Sequence, residues 1–494
     1  MNQLAALFTF RSFSKNDKRK LGVRAFVSCS LMVISFYALL RAYMGPLPAA
    51  LNLEMSRNVN IAMVSVVTRG VEKNAKGDAR ISSHKPVTKP KKFGQRLEQI
   101  CNLSNPRSDY CEIKGDVRVQ GNSSTIFIAS PSRLGNKSDQ RDAPWKIRPY
   151  ARKGDDTAMG RTRELSLEPY YPASKSPGGE LIIPNCTKKH RVPGILFSSG
   201  GYAGNHFHDF SDIIIPLYVN SRHLKRKVKF LVTDMKPWWL AKFRVLLRAL
   251  SKYNVIDIDK NQQTHCFPRL IVGLRASTKE LSTDLSTASP YGISYTIGNF
   301  TSFLRSAYSL QRDTAIQLSV DDKRKPRLLM ILRKRTRAFT NQDEIEAEAR
   351  SLGYDVVATE AMVNLDEFAK VVNSVDVMLG MHGAGLTNFV FLPQRAVVVQ
   401  VVPLGLEWLA KNDYEVPALS MNLRCLEYKI NANESTLFEQ YPADHPVLTN
   451  PSSMLSKRGW REFKPIYLDR QNVRLDVSRF RSTLLKALEL LHER

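Results

Sequence analysis

The chain has 494 residues, with 73 Lys and Arg against 46 Asp and Glu, a formal net charge of +27. An apolar fraction of 43% with 24% charged residues excludes a wholly disordered chain, and the lack of many long apolar spans excludes a polytopic membrane protein. The length suits several domains, and the charge points to a polyanion partner: nucleic acid, an anionic membrane, or a phosphorylated or acidic substrate, depending on where the cations sit.

Residues 1–24 read as a cytosolic tail in which Arg11, Lys15, Lys18, Arg19, Lys20 and Arg24 face Asp17 alone. Residues 25–41 read as a transmembrane signal anchor. Ala25 to Leu40 carry no charge and rise about 24 Å as a helix, slightly short of a ~30 Å hydrocarbon core. The basic flank precedes the span, so the positive-inside rule keeps the N-terminus cytosolic and sends the rest into the lumen. A short span suits a thin bilayer of the early secretory pathway. The alternative is a cleaved signal peptide, but the context around Arg41 and Pro46 gives no clean cleavage site. Asn-x-Ser/Thr sequons at Asn102, Asn122, Asn136, Asn185, Asn299 and Asn433 all follow the span, in keeping with a glycosylated luminal chain. Residues 42–100 read as a basic stem ending in SSHKPVTKPKKFGQR. Beyond it stand Cys101, Cys111, Cys186, Cys266 and Cys425. No CxxC suggests zinc; Cys101 and Cys111 are the easiest local pair, and the pairing itself is not readable.

Residues 101–190, with short β-rich runs at DVRVQG and STIFIAS, read as a ragged entrance to the folded part. From there strands and helices alternate: GILFSS at 194–199 before Gly200-Gly201, a helix from Asn205, VKFLVT at 228–233, an amphipathic helix from Trp238 to Leu250, and NVIDI at 254–258. The pattern returns with RLLMILR at 327–333, a helix capped by Asn341 and Glu344, YDVVATE at 354–360, a helix at 365–372, DVMLGMH at 376–382, AVVVQVVP at 396–403 and RCLEYKI at 424–430. A last helix from Val477 to Leu491 puts Val477, Phe480, Leu484, Leu488 and Leu491 on one side. Continuous apolar strands alternating with helices argue an α/β protein with two Rossmann-like halves, at 101–310 and 311–494, that face a cleft. Ligands in such sheets bind beyond the carboxyl ends of the strands.

The sharpest local feature is Met381 to Asn388, MHGAGLTN, directly after a strand. The backbone of Gly383, Ala384 and Gly385 can approach a ligand closely, and a helix starting near Leu386, Thr387 and Asn388 aims free N–H groups at a phosphate. His382 is placed to donate to a phosphate or sugar oxygen. Arg333, Lys334, Arg335 and Arg337 close the first strand of the same half and suit a diphosphate. In the first half, GNHFHDFSD places His208 and Asp212 four residues apart, a carboxylate-held general base, with Asp209 as a second option. Asp257 and Asp259 resemble a metal-binding DxD, but the basic rim already serves a diphosphate, so no metal is expected.

HGAGLTN with the following FLP, VVVQVVPLGLEWLAKNDYEVPA, LEYKI, NESTL, YPADHPV and GW, together with FSSGGYAGNHFHDFSD and CEIKGDVRV, closely resembles the plant branch of glycosyltransferase family 61 over roughly residues 101–494. The resemblance implies a GT-B fold, a single-pass type II Golgi membrane protein, and metal-independent, inverting transfer of arabinofuranose or xylose from a UDP-sugar to xylan in cell-wall synthesis. A more distant branch adds β1,2-xylose to N-glycans. Gln394-Arg395 and Cys425 depart from the family pattern, away from the donor turn. On this reading Arg333, Arg337 and residues 383–388 hold the diphosphate, Glu407 the ribose, and His208 with Asp212 takes the acceptor's proton. The expected partners are a UDP-pentose, a glycan acceptor, the Golgi membrane and a Golgi enzyme complex or second copy. A non-catalytic glycan-binding relative is the rival from another class. Nucleic acid is not expected, because the anchor and sequons place the basic domain in the lumen and no nucleic-acid motif is present.

Overall fold

The computed structural model describes residues 100–129, 144–170, 183–285, 294–319, 321–361 and 364–493. All belong to the unit that begins at Val87. The tail, the anchor, all but the last residue of the stem, and the sequon at Asn136 lie outside the described residues. Among the described residues, no helix is long and apolar enough to cross a membrane.

The first sheet is built from β1 (Cys101–Asn102), β2 (Tyr110–Gln120), β3 (Thr125–Ala129), β4 (Trp145–Ile147), β5 (Leu165–Tyr170), β6 (Lys188–Lys189), β7 (Gly194–Ser198), β8 (Lys229–Thr233), β9 (Ile256–Asp257) and β10 (Thr264–Val272). Its order is β4-β5-β3-β2-β10-β7-β8-β9, with β1 added to β2 and β6 to β10. β7, β8, β9 and β10 run parallel, whereas β2 runs antiparallel to both β10 and β3. This sheet is therefore mixed rather than Rossmann-like throughout. The stretch expected to be a ragged entrance supplies six of its strands. Two of them, β2 and β3, hold the β-rich runs DVRVQG and STIFIAS; the others are short, and along β2 only Cys111, Ile113, Val117 and Val119 turn inward. Two disulfides tie this region together, the expected Cys101–Cys111 and a long-range Cys186–Cys266. Cys425 is a free thiol, and burial pushes it up to about 12.

The second sheet holds β11 (Arg327–Leu332), β12 (Asp355–Glu360), β13 (Val377–Met381), β14 (Val397–Val402) and β15 (Arg424–Lys429), all parallel, in the order β12-β11-β13-β14-β15. β13 and β14 are buried along their whole length, which accounts for their unbroken apolar sequences. The chain steps from β11 outward to β12, then crosses back to β13 on the other side. A crevice therefore opens between the carboxyl ends of β11 and β13.

The two sheets share one hydrophobic core. It runs from Ile195, Phe197 and Phe230 under the first sheet to Leu329, Ile331, Met378 and Val398 under the second. Phe210 is the centre of the joint: its ring stands edge-on to Phe243, Phe300 and Phe391. Two local expectations change. The helix from Trp238 breaks at Phe243 into Pro237–Lys242 and Arg244–Leu250. Asn341 stands at the N-cap position, but its side chain bonds Leu475 and Glu344 rather than the first N–H groups of the helix.

The last helix, Val477–His492, is capped by Asp476 and buries Phe480, Leu484, Ala487 and Leu491 against the second sheet. Leu484→Ala is expected to cost about 3 kcal/mol, read as a lower denaturation midpoint with an unchanged m-value.

Candidate active site

The crevice between β11 and β13 brings together the residues that the sequence singled out there. Gly383 has φ +136° and ψ 179°, a conformation favoured by glycine, and caps a 3-10 helix over Ala384–Phe391. The helix starts two residues earlier than expected, so the first free N–H groups belong to Ala384 and Gly385. A Cβ on Gly383 would lie 2.7 Å from the Nη1 of Arg337 and 3.0 Å from that of Arg333. Both guanidiniums thus rest directly on the turn. Arg337 donates from Nη1 to the His382 carbonyl at 2.9 Å, and Arg333 donates from Nε to the Thr336 carbonyl at 2.8 Å. Arg337 has φ +52°, a left-handed backbone that costs about 1 kcal/mol or more and is held by its N–H to the Gln471 carbonyl at 2.8 Å.

Neither arginine is in salt-bridge contact with a carboxylate among the described residues, and the Arg337 Nε is buried with no hydrogen-bond partner. Burial pulls Arg333 below its ordinary value, and burial with the neighbouring Arg333 pulls Arg337 down to about 10. Two half-buried cations in contact with one glycine and facing helix N–H groups make an anion site. The other two cations of the run do not join it: Lys334 pairs with Glu360 at 3.2 Å, and Arg335 is exposed.

Several expected ligands take other roles. His382 Nδ1 lies 3.1 Å from the Gln400 Oε1, whose amide nitrogen faces the Ala410 carbonyl and Glu427. The ring nitrogen therefore donates inward. Burial and the field of Arg337 pull His382 down to about 3, so the ring is neutral and its other nitrogen is an acceptor, not the phosphate donor expected. Leu386, Thr387 and Asn388 are buried, which leaves only their backbones to a ligand. Asn388 donates to the Gly385 carbonyl at 2.9 Å and presents its Oδ1 to His206 Nε2 at 3.0 Å, tying the turn to the first half. Glu407 is exposed on the same rim after β14, its Oε1 accepting the Gly405 N–H at 3.3 Å.

Across the molecule, His206–His208 opens a helix that passes into a π-helical turn at Asp209–Ile214. Such turns are rare and concentrate at functional sites. His208 Nδ1 lies 3.0 Å from the Asp212 Oδ2, as expected from their spacing. Asp212 is fully buried and also accepts from Arg107 at 2.7 Å, from Arg152 at 2.9 and 3.1 Å, and from Tyr150 at 2.9 Å. Burial opposes its charge, but the hydrogen bond from His208 and the fields of Arg152 and Arg107 prevail and hold it well below the usual carboxylate range. The His208 Nδ1 then donates, which leaves Nε2 as the nitrogen not committed to Asp212, on a ring 18% exposed. Glu280 completes the cluster by pairing with the same two arginines, at 2.7 and 2.9 Å.

Asp209, the second candidate base, is corrected. Its carboxylate is buried and accepts from Gly204 N–H, Trp239 Nε1 and Lys242 Nζ at 2.8, 2.7 and 2.9 Å, so it anchors the turn. Asp259 of the DxD is likewise engaged, with Thr233, the Asp234 N–H and Arg163. Of the sequons, Asn122, Asn185, Asn299 and Asn433 are exposed, and Asn102 is half-buried. Asn299 uses its Oδ1 in a capping box, which leaves the amide nitrogen outward.

Sequence reasoning missed Arg107, Tyr150, Arg152 and Glu280, whose partners lie 60 or more residues away. It also missed Asp413. Burial and the charge of Glu280 push this carboxyl up to about 7.

A family model for Glycosyltransferase 61 matches residues 204–399, from the loop before His208 to β14. A beta-1,2-xylosyltransferase of Oryza sativa subsp. japonica is 43% identical over 403 residues, covering 79% of this chain and 84% of the relative. The chain belongs to glycosyltransferase family 61. A rice alpha-1,3-arabinosyltransferase is 45% identical over 401 residues, 81% of this chain, but the match spans only 66% of that relative's length. A xylan glycosyltransferase of Arabidopsis thaliana is 36% identical over 409 residues, with 80% of each chain covered.

Two outcomes are expected. Gly383→Ala should displace both arginines and weaken pyrophosphate binding at least about tenfold in a calorimetric titration. For Asp413, the folded carboxyl holds its proton to about 7 whereas the ordinary value is 3.8, so its contribution to stability falls as pH rises between these values. Asp413→Asn should therefore melt above wild type at pH 8, with the difference vanishing near pH 4.

Proposed function

We propose that this protein is an inverting, UDP-sugar-dependent pentosyltransferase of the Golgi lumen that decorates xylan, with a GT-B arrangement of its two halves. The observation that carries the reading is the pair of carboxylate-free arginines resting on Gly383 at the switch point of the parallel sheet. The names of the similar plant proteins support a pentose donor and a xylan acceptor and favour neither arabinofuranose nor xylose.

In this mechanism the diphosphate lies against Arg333, Arg337 and the N–H groups of Ala384 and Gly385. His208 Nε2 removes the proton from an acceptor hydroxyl. The freed oxygen attacks the anomeric carbon from the side opposite UDP, the bond to the diphosphate oxygen breaks, and the configuration inverts. The imidazolium that forms is stabilised by Asp212, which stays ionised because Arg107, Arg152 and Tyr150 hold it. The two guanidiniums take up the charge of the departing UDP, the task a metal performs in other glycosyl transfers. Trp238, exposed beside the Gly204 loop that leads into His208, offers a flat apolar face to an acceptor ring.

His208→Ala is expected to lower transfer to xylo-oligosaccharides by at least about 100-fold while UDP titration shows unchanged affinity. Turnover near wild type would remove the base assignment. Arg337→Ala should do the reverse, losing UDP affinity first.

A further inference from the structure

A second π-helical turn, Lys411–Glu415, packs through Tyr414 on residues beside both the anion site and His208. Tyr414 is buried at its centre and is in contact with both sides. Its ring stands edge-on to His382 at 5.1 Å and to Phe389 at 6.1 Å, both flanking the donor turn. It also meets Phe207, the residue before His208, at 5.6 Å. Asp413 precedes it on the same turn. Its carboxylate is half-buried and makes no hydrogen bond or ion pair among the described residues, yet it feels the charges of Glu280, Arg152 and Arg107 in the cluster that holds Asp212. The other acids of that cluster, Asp212 and Glu280, are both fully engaged with arginines.

A half-buried carboxyl without a partner keeps only part of its hydration and has no fixed donor in exchange, so it is placed to accept one. Its position explains what would compensate. A donor sugar whose diphosphate sits on Arg333 and Arg337, and whose anomeric carbon must face His208, passes the turn whose Tyr414 touches both His382 and Phe207. Sugar hydroxyls are donors, and a carboxylate accepts two at once.

We propose that Asp413 binds hydroxyls of the donor pentose and thereby sets which UDP-pentose is used. This rests on the donor and base assignments made above and adds the residue that reads the sugar rather than the nucleotide. The Asp413 turn belongs to the second half but faces the acid cluster of the first, so sugar binding also joins the two halves.

The test uses the luminal protein with UDP, UDP-arabinofuranose and UDP-xylose, and xylo-oligosaccharide acceptors. Asp413→Asn keeps the shape, removes the charge and is expected to fold, as its melting curve will report. UDP affinity should be unchanged, whereas kcat/KM for the preferred UDP-pentose should fall at least about tenfold and the ratio between the two donors should move toward one. If wild type transfers a pentose and Asp413→Asn keeps both kcat/KM and the donor ratio, the assignment is overturned while the enzyme reading stands. Equal loss of UDP and UDP-pentose affinity would make the residue structural and also overturn it. If the wild type transfers no pentose from either donor, the proposed function falls and this assignment with it.

Discussion

One buried carboxylate organises the first half of the molecule. Asp212 draws Arg107 and Tyr150 from the strand-poor segments after β1 and β4, Arg152 from the loop beyond, and His208 from the preceding turn of its own helix. Such a group would be strongly destabilising if any partner were missing, since a buried ion pair broken on one side costs roughly 3–5 kcal/mol. The network is tolerable because it is complete. Two arginines and two carboxylates, Asp212 and Glu280, neutralise each other, and each carboxylate has several donors. What that completeness achieves is a single orientation for His208, with one nitrogen committed inward and the other free.

The second half follows the opposite logic. Among the described residues its two central arginines make no ion pair with an acid; burial disfavours the charge of both, and the field of Arg333 adds to this at Arg337. Arg337 also accepts a left-handed backbone to reach its place. A structure that satisfies one cluster so fully and leaves another so exposed to its own charge separates two tasks. In the proposed mechanism the first cluster orients the proton acceptor and the second receives the diphosphate of the donor.

The halves are held in register by apolar packing with a few polar pins. Phe210, Phe300 and Phe391 pack edge to face across the joint, and His206 reaches Asn388 through a hydrogen bond whose acceptor is fixed by Asn388's own bond to Gly385. His206 is so buried that burial and Lys242 hold it well below the ordinary histidine range, which makes it a neutral strut rather than a proton carrier. The choice between His206 and His208 is therefore one of environment. Both stand in the same short motif, and only the second has a carboxylate partner.

The amino-acid sequence by itself determined the parallel second sheet, the glycine turn after β13, the arginines after β11 and the His208–Asp212 pair. These depend on strong local signals: unbroken apolar strands, a Gly-x-Gly step, and a four-residue spacing. Of the six strands of the first sheet before residue 190 it showed only the runs within β2 and β3, because short strands carry little periodicity and take their stability from neighbours distant in the chain. Tertiary structure alone decided that Asp209 is an anchor and that His382 points its proton inward. It also decided that Lys334 and Arg335 stand apart from the anion site, and that Asp413 lies where both halves meet. Each of these depends on which partner arrives across tens to hundreds of residues, and a side chain's charge, tautomer and freedom are set by that partner rather than by its own identity.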